Sequence, residues 1–212
     1  AEAQFHPERF IKVFGNHDLV WKDKVQATLM LSKFFRAPIP VYEGIKLSVN
    51  NESKPFTIFL THGHQGDAMS DGNPVSSWIV AHIWTPIQRY LRINVNSASS
   101  DYSLRSLHNK LMYTWSSSQK DLLLITGHTH QPVFASGRFF KHPSNKINVK
   151  EPHDELIPSY FNTGCCCYSD GDITGIEIAD GKIRLIKWYD EEIKPKRMIL
   201  EEISFKELLK TL

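Results

Sequence analysis

The sequence predicts an α/β fold, on two observations. Three apolar, strand-like runs at residues 10–14, 56–60 and 122–125 each lead into a short polar segment: Gly15-Asn16-His17-Asp18, Thr61-His62-Gly63-His64 and Gly127-His128-Thr129-His130. Between them lie stretches with apolar residues at helical spacing. Strands whose carboxyl ends open on one crevice are where an α/β protein assembles a site.

The elements follow in chain order. Residues 5–14 read as the end of a helix feeding a short strand at 10–14. Over 19–35, Trp21, Val25, Leu29 and Met30 recur among Lys22, Asp23, Lys24 and Gln26. That spacing predicts an amphipathic helix covering the sheet and stopped by Ala37-Pro38-Ile39-Pro40. Residues 41–49 and 56–60 read as two strands joined by a polar turn at 50–54. Residues 76–91 carry Trp78, Ile79, Ile83, Trp84, Ile87 and Tyr90 at helical spacing, with Pro86 as a kink or break. A second helix is expected over 104–115, with Leu104, Leu107, Leu111 and Trp115 on one side. From Gly72 to Lys120 the bases Arg89, Arg92, Arg105, Lys110 and Lys120 face a single acid, Asp101. The segment from about 70 to 120 reads as a helical insertion bordering the site, with its tryptophans as packing.

Beyond the third polar segment, β-like runs are expected at 133–139, 160–168, 173–178 and 183–188. Asp170-Gly171 and Asp180-Gly181 are hairpin turn signals among them. Residues 141–158 form a long polar loop. A charged stretch at 190–197 precedes a short helix at 205–209. The chain thus divides into a main domain, 1–190, and a terminal segment, 191–212.

Bulk composition bounds the function. With 212 residues, 41% apolar and 23% charged, the chain suits one domain with a substantial core. A net charge of +2 gives no support to generic nucleic-acid binding. No apolar run approaches the ~20 residues that span a bilayer, and the first residues do not resemble a secretory signal. Cys165, Cys166 and Cys167 are adjacent, which suits neither a disulfide framework nor a CxxC site. They read as small strand residues in a reducing, cytoplasmic setting.

The chemistry lies in the histidines. Asn oxygen and imidazole nitrogen are donors for borderline divalent ions such as Zn, Mn, Fe or Co. His128 and His130, one residue apart beyond a buried strand, can reach two ions about 3.5–4 Å apart. His64 reads either as a group facing substrate or backing the ligands, or as an exposed loop histidine. His82, His108, His142 and His153 lack ligand spacing and read as surface or core. Asn162-Thr163-Gly164 is either turn chemistry or a wall of the site.

In this order the three segments resemble the calcineurin-like metallophosphoesterase superfamily, over roughly residues 8–190. The resemblance implies an αββα-type sandwich of mixed sheets flanked by helices, holding two divalent ions. It assigns Asn16, His62 and His128 to the second metal and His130 to the first. By the same likeness His17 faces the substrate phosphate and protonates the leaving oxygen, with Asp18 orienting its imidazole. Asn162, His64, Arg89 and Arg92 are candidate substrate contacts. The family's Asp-x-His and Gly-Asp-x-x-Asp blocks come earlier in its members, whereas fourteen residues precede Gly15 here. Asp170-Gly171-Asp172 lacks their spacing. The expectation is a C-terminal portion that holds at most one ion weakly and is inactive alone. The parent protein would hydrolyse a phosphate mono- or diester. The insertion is similar in placement to the cap of UDP-diacylglucosamine pyrophosphatases, which makes a nucleotide-lipid pyrophosphate one substrate class; the same helices also suit a homodimer interface. The alternative is a scaffold that binds metal or a partner.

Overall fold

A computed structural model describes residues 9–16, 18–35, 38–50, 54–64, 102–135, 157–166, 168–192 and 194–212. His17, Arg89, Arg92, the expected helix at 76–91 and most of the polar loop at 141–158 lie outside the described residues. The fold is mixed α/β. A two-residue parallel pair joins β1 (Lys12–Val13) to β2 (Val41–Tyr42). The central sheet runs in the order β3 (Gly44–Val49), β4 (Phe56–Thr61), β5 (Leu122–Thr126) and β6 (Tyr160–Asn162). Strands β4, β5 and β6 are parallel, and β3 pairs antiparallel to β4. A second sheet, β7 (Ile173–Ala179), β8 (Lys182–Glu191) and β9 (Lys194–Ser204), is an antiparallel meander. The α-helices are α1 (Lys24–Leu31), α2 (Tyr102–Ser117) and α3 (Phe205–Leu208).

The layers follow from β5. Leu123, Leu124 and Ile125 are all buried, as expected of a parallel strand covered on both faces. Leu123 and Ile125 join Phe56, Ile58, Phe161, Ile183, Leu185 and Leu208 in one core, between the two sheets and α3. Leu124 faces the other way, onto Met112 and Trp115 of α2. Helix α2 is the described part of the segment read as an insertion, and it packs as a layer of the core. In β8, buried Ile183 and Leu185 alternate with Arg184, whose guanidinium meets Glu177 and Glu202 on the outer face. Asp180 and Gly181 both take positive φ (53° and 69°), as a two-residue hairpin of right-handed strands requires.

Several elements differ from expectation. The run at 19–35 is a 3-10 turn, Leu19–Lys22, followed by α1. The break falls at Asp23, whose carboxylate accepts from the amides of Val25 (2.8 Å) and Gln26 (3.4 Å) and so starts a new helix. Helix α1 buries Ala27 and Leu31, while Val25, Leu29 and Met30 are exposed. Ala27 and Leu31, four residues apart, form the buried stripe of the helix, and the larger apolar set lies outside it. The run at 133–139 contributes an isolated bridge, Val133 to Asn162, and β6 stops at Asn162. Gly164 forces that stop: its φ of +79° turns the chain out of the sheet. Cys165 and Cys166 accordingly lie in a loop, not a strand, and Asp170-Gly171 is a turn with no hairpin. The charged stretch at 190–197 closes β8 and opens β9, an edge strand whose first six residues are exposed and in which Pro195 is tolerated.

Candidate functional site

The carboxyl ends of β1, β4, β5 and β6 meet at one edge of the molecule. The Gly127 amide donates to His62 O (3.0 Å) and the Thr163 amide to Thr126 O (2.8 Å), which stitches the three loop starts together. Gly15 lies so close to the His62 ring that a Cβ there would overlap it. Gly63 takes a φ of +98° beneath Thr126.

The turn after β5 is strained. His128 (φ 68°) and His130 (φ 57°) both occupy the left-handed region, at a cost on the order of 1–3 kcal/mol each. A buried polar net holds them there. Asn162 Nδ2 donates to Gly127 O at 2.7 Å, with Thr126 Oγ1, Tyr160 OH and Thr129 Oγ1 also within 3.2 Å. Its Oδ1 accepts from the Gly164 amide (3.0 Å). From α2, Asn109 Oδ1 accepts from Thr129 Oγ1 (3.1 Å) and Tyr160 OH (2.9 Å). Burial pushes the Tyr160 phenol up to about 12, against the opposing bonds from Asn162 and Thr126. Asn162 thus stands among the site residues as the pin of the His128 turn, fully buried beneath it.

Above this net the imidazoles cluster with their rings tilted or edge to face. The His62 ring lies 5.2 Å from His64 and 5.2 Å from His128, centroid to centroid, and His108 lies 5.2 Å from His128. Burial pushes His64 down to about 4, reinforced by His108 and opposed by Asp18. His108 also falls to about 4, first through burial, with its bond to Gly63 opposing. His128 falls to about 2, through burial and then through His108, His62, His64 and His130. The three are neutral at pH 7, which is the ligand form of imidazole. His64 is buried to 1% exposure, so it is not an exposed loop histidine.

Asn16 Oδ1, His64 Nδ1 and His128 Nε2 are buried polar atoms without a hydrogen-bond partner among the described residues. Atoms of this kind cost about 1–3 kcal/mol each when nothing binds them, and oxygen plus imidazole nitrogen is a donor set that fits one borderline divalent ion. The fit is of chemistry rather than of preformed coordination. Among the described residues no three His, Cys, Asp or Glu side chains converge as a metal cage.

The remaining site residues are placed differently. Asp18 Oδ1 accepts from the Gly15 amide (2.9 Å), and Oδ2 pairs with Lys12 (3.3 Å). Its carboxylate therefore fixes the turn that presents Asn16. His130 Nδ1 faces Cys165 Sγ at 3.3 Å, and its carbonyl accepts from Tyr168 OH. Two contributors escaped the sequence: His108 and Asn109, adjacent on α2. Their signal was weak, a polar pair on the buried side of a helix that also buries Leu111, Met112 and Trp115.

No protein-family model matches the chain, and no curated protein matches it. Among solved structures it is similar to Vacuolar Protein Sorting 29 from Cryptosporidium parvum, at 16% identity and a TM-score of 0.30, over 80% of this chain and 61% of that one. A single mutant of Vps29 from Entamoeba histolytica aligns at 16% identity and a TM-score of 0.26, over 76% and 62%. Vps29 from the same organism complexed with zinc aligns at 16% and 0.26, over 83% and 73%. The chain spans about three-fifths of the length of the first two structures. Likeness at this level says nothing of activity. Among the described residues no helix is long and apolar enough to cross a membrane.

Proposed function

We infer that this chain is a metal-binding module on a metallophosphoesterase-type scaffold, with Asn16, His62 and His128 holding one borderline divalent ion. The observation that carries it is the neutral His128 ring packed beside His62, with Asn16 Oδ1 and His128 Nε2 buried and unsatisfied among the described residues. Nitrogen-rich donors favour Zn or Co over Mg or Ca. Calorimetric titration of chelator-stripped protein tests this. The expected result is one Zn²⁺ or Co²⁺ per chain, little response to Mg²⁺, and loss of binding in His128→Ala. No binding of any of these ions would sink the proposal.

The motif set supports a second reading, hydrolysis of a phosphate ester by the parent protein. A bound divalent ion supplies Lewis acidity toward a phosphoryl oxygen. The chain's own share would be proton transfer to the leaving oxygen by His17, next in sequence to Asp18, whose carboxylate accepts from the Gly15 amide and pairs with Lys12. A second ion on His130 would need carboxylates from further segments, and His130 is turned toward Cys165 in this fold. The 212 residues alone should therefore turn over a chromogenic phosphodiester negligibly. Robust turnover with two tightly bound ions would replace the module reading with the enzyme.

A further inference from the structure

Helix α1 is apolar on two opposite sides. Ala27 and Leu31 form its buried stripe, and Val25 and Leu29 each lie two residues earlier. Two residues turn a helix by about 200°, so the second pair stands opposite the first. Val25 is 66% exposed and Leu29 56%. Phe34, in the turn that follows the helix, is 67% exposed and Met30 40%. A helix with apolar residues all round is ordinarily covered on every side. The surroundings of this uncovered face are basic. From residue 20 to residue 35 the bases are Lys22, Lys24 and Lys33, all exposed, against a single acid, Asp23. The Asp23 carboxylate is engaged by the amides of Val25 and Gln26 at the start of the helix.

Lysines alone would suit any polyanion, and exposed Val, Leu and Phe any apolar surface. A bilayer with anionic headgroups takes both at once, the charges at its surface and the side chains at its headgroup–acyl boundary. A protein groove that accepts a helix reads anchors at i, i+3 or i+4, and i+7. Counted from Val25 these are Thr28, Leu29 and Ser32, so only Leu29 answers. A bilayer imposes no such register. We propose that the outer face of α1 docks this chain on an anionic lipid bilayer, with Val25, Leu29 and Phe34 entering the interface and the lysines meeting the headgroups. The docking is peripheral, since α1 has 8 residues and a span needs ~20. It is independent of any metal at the strand ends.

Co-sedimentation of the full chain with vesicles tests this, comparing phosphatidylcholine and phosphatidylglycerol in equal parts with phosphatidylcholine alone. The expected result is binding to the mixed vesicles, weakened by added salt because the attraction is screened, and little binding to the neutral ones. Lys24→Gln combined with Lys33→Gln should weaken binding by about 25-fold, at about 5-fold for each lysine. Val25→Ser combined with Leu29→Ser should weaken it by about 10-fold or more, since burying one such side chain is worth that much. All four positions are exposed, so urea midpoints should stay close to the parent's and show that a loss of binding is not misfolding. Failure of the folded chain to bind the mixed vesicles overturns the proposal. Concentration-dependent dimers in sedimentation velocity, abolished by the serine pair, would then assign the face to a second copy. Binding that falls with the lysine pair but ignores the serine pair also overturns it, since charge without the apolar face would then explain the result.

Discussion

Acidification of the metal-free protein through the histidine range should destabilise it before its carboxylates are protonated. The perturbation is protonation of His64 and His108, which titrate near 6.5 as free side chains and are held near 4 by burial in the fold. Between those values the unfolded chain binds more protons than the native state, so stability falls as pH falls. Above about pH 6.5 both states are neutral and the effect is absent. One such histidine removes about 1.4 kcal/mol by one pH unit below 6.5, and about 3 kcal/mol once pH is below both values. Two of them in contact with a common cluster therefore remove between about 3 and 7 kcal/mol, against a typical domain stability of about 5–15 kcal/mol. Glu177, Glu202 and Glu207 have lowered pKa values through their hydrogen bonds, so their contributions are lost only as pH falls below the ordinary 4.5. The interval from about pH 6.5 to 5 thus belongs to the histidines. Urea midpoints measured in chelator at steps across that interval should fall steadily, and His64→Gln or His108→Gln should each remove part of the slope. A midpoint that stays flat from about pH 7 to 5 would show that these imidazoles are not buried neutral, and the electrostatic account of the site would fail.

Three substitutions check the scaffold by urea denaturation at neutral pH. Asn162→Ala strips the partners of Gly127 O and the Gly164 amide in a fully buried setting. It should cost about 2–6 kcal/mol, at about 1–3 kcal/mol for each orphaned group. Gly63→Ala forces a side chain onto a φ of +98° with its Cβ 2.9 Å from Thr126 Cβ, which should cost about 1–3 kcal/mol in backbone strain before the clash is counted. Leu185→Ala opens a cavity where Leu185 is fully buried between the sheets and should cost about 2–5 kcal/mol. A loss under about 1 kcal/mol in any of the three would contradict the packing described for that position.

The parallel strands were legible because a strand covered on both faces needs a continuous apolar run, and residues 122–125 are one. The positions of His62, His64 and His128 at the sheet edge followed from that. The Asp180-Gly181 hairpin was legible because few residues adopt two positive φ angles in succession. Strand β9 was not, since an edge strand whose first six residues are exposed can carry Lys194, Lys196 and Arg197 without conflict. The face that α1 buries was misjudged because the buried stripe is Ala27 and Leu31, whereas Val25, Leu29 and Met30 are exposed. His108 and Asn109 were invisible for a different reason. Their significance depends on Gly63, Thr129 and Tyr160, which are 20–51 residues away in sequence. No local pattern encodes such a meeting.

The site divides its labour between two sets of side chains, and that division predicts how they separate under mutation. The net under the turn is built from Asn109, Thr126, Thr129, Tyr160 and Asn162, whose hydrogen bonds offset the strain at His128 and His130. Two candidate donors above it, Asn16 and His128, instead present buried atoms that nothing among the described residues satisfies. A donor therefore contributes little to folding or opposes it, while a net residue contributes to folding and binds nothing. His128→Ala keeps the same left-handed backbone at similar cost and removes an unsatisfied nitrogen, so stability should stay within about 1 kcal/mol of the parent or rise. Its Zn²⁺ binding should vanish. Thermal melts and zinc titrations on the same samples of His128→Ala and Asn162→Ala read both quantities. If His128→Ala instead unfolds the domain, the imidazole cluster is a structural core and the separation of donors from scaffold is wrong.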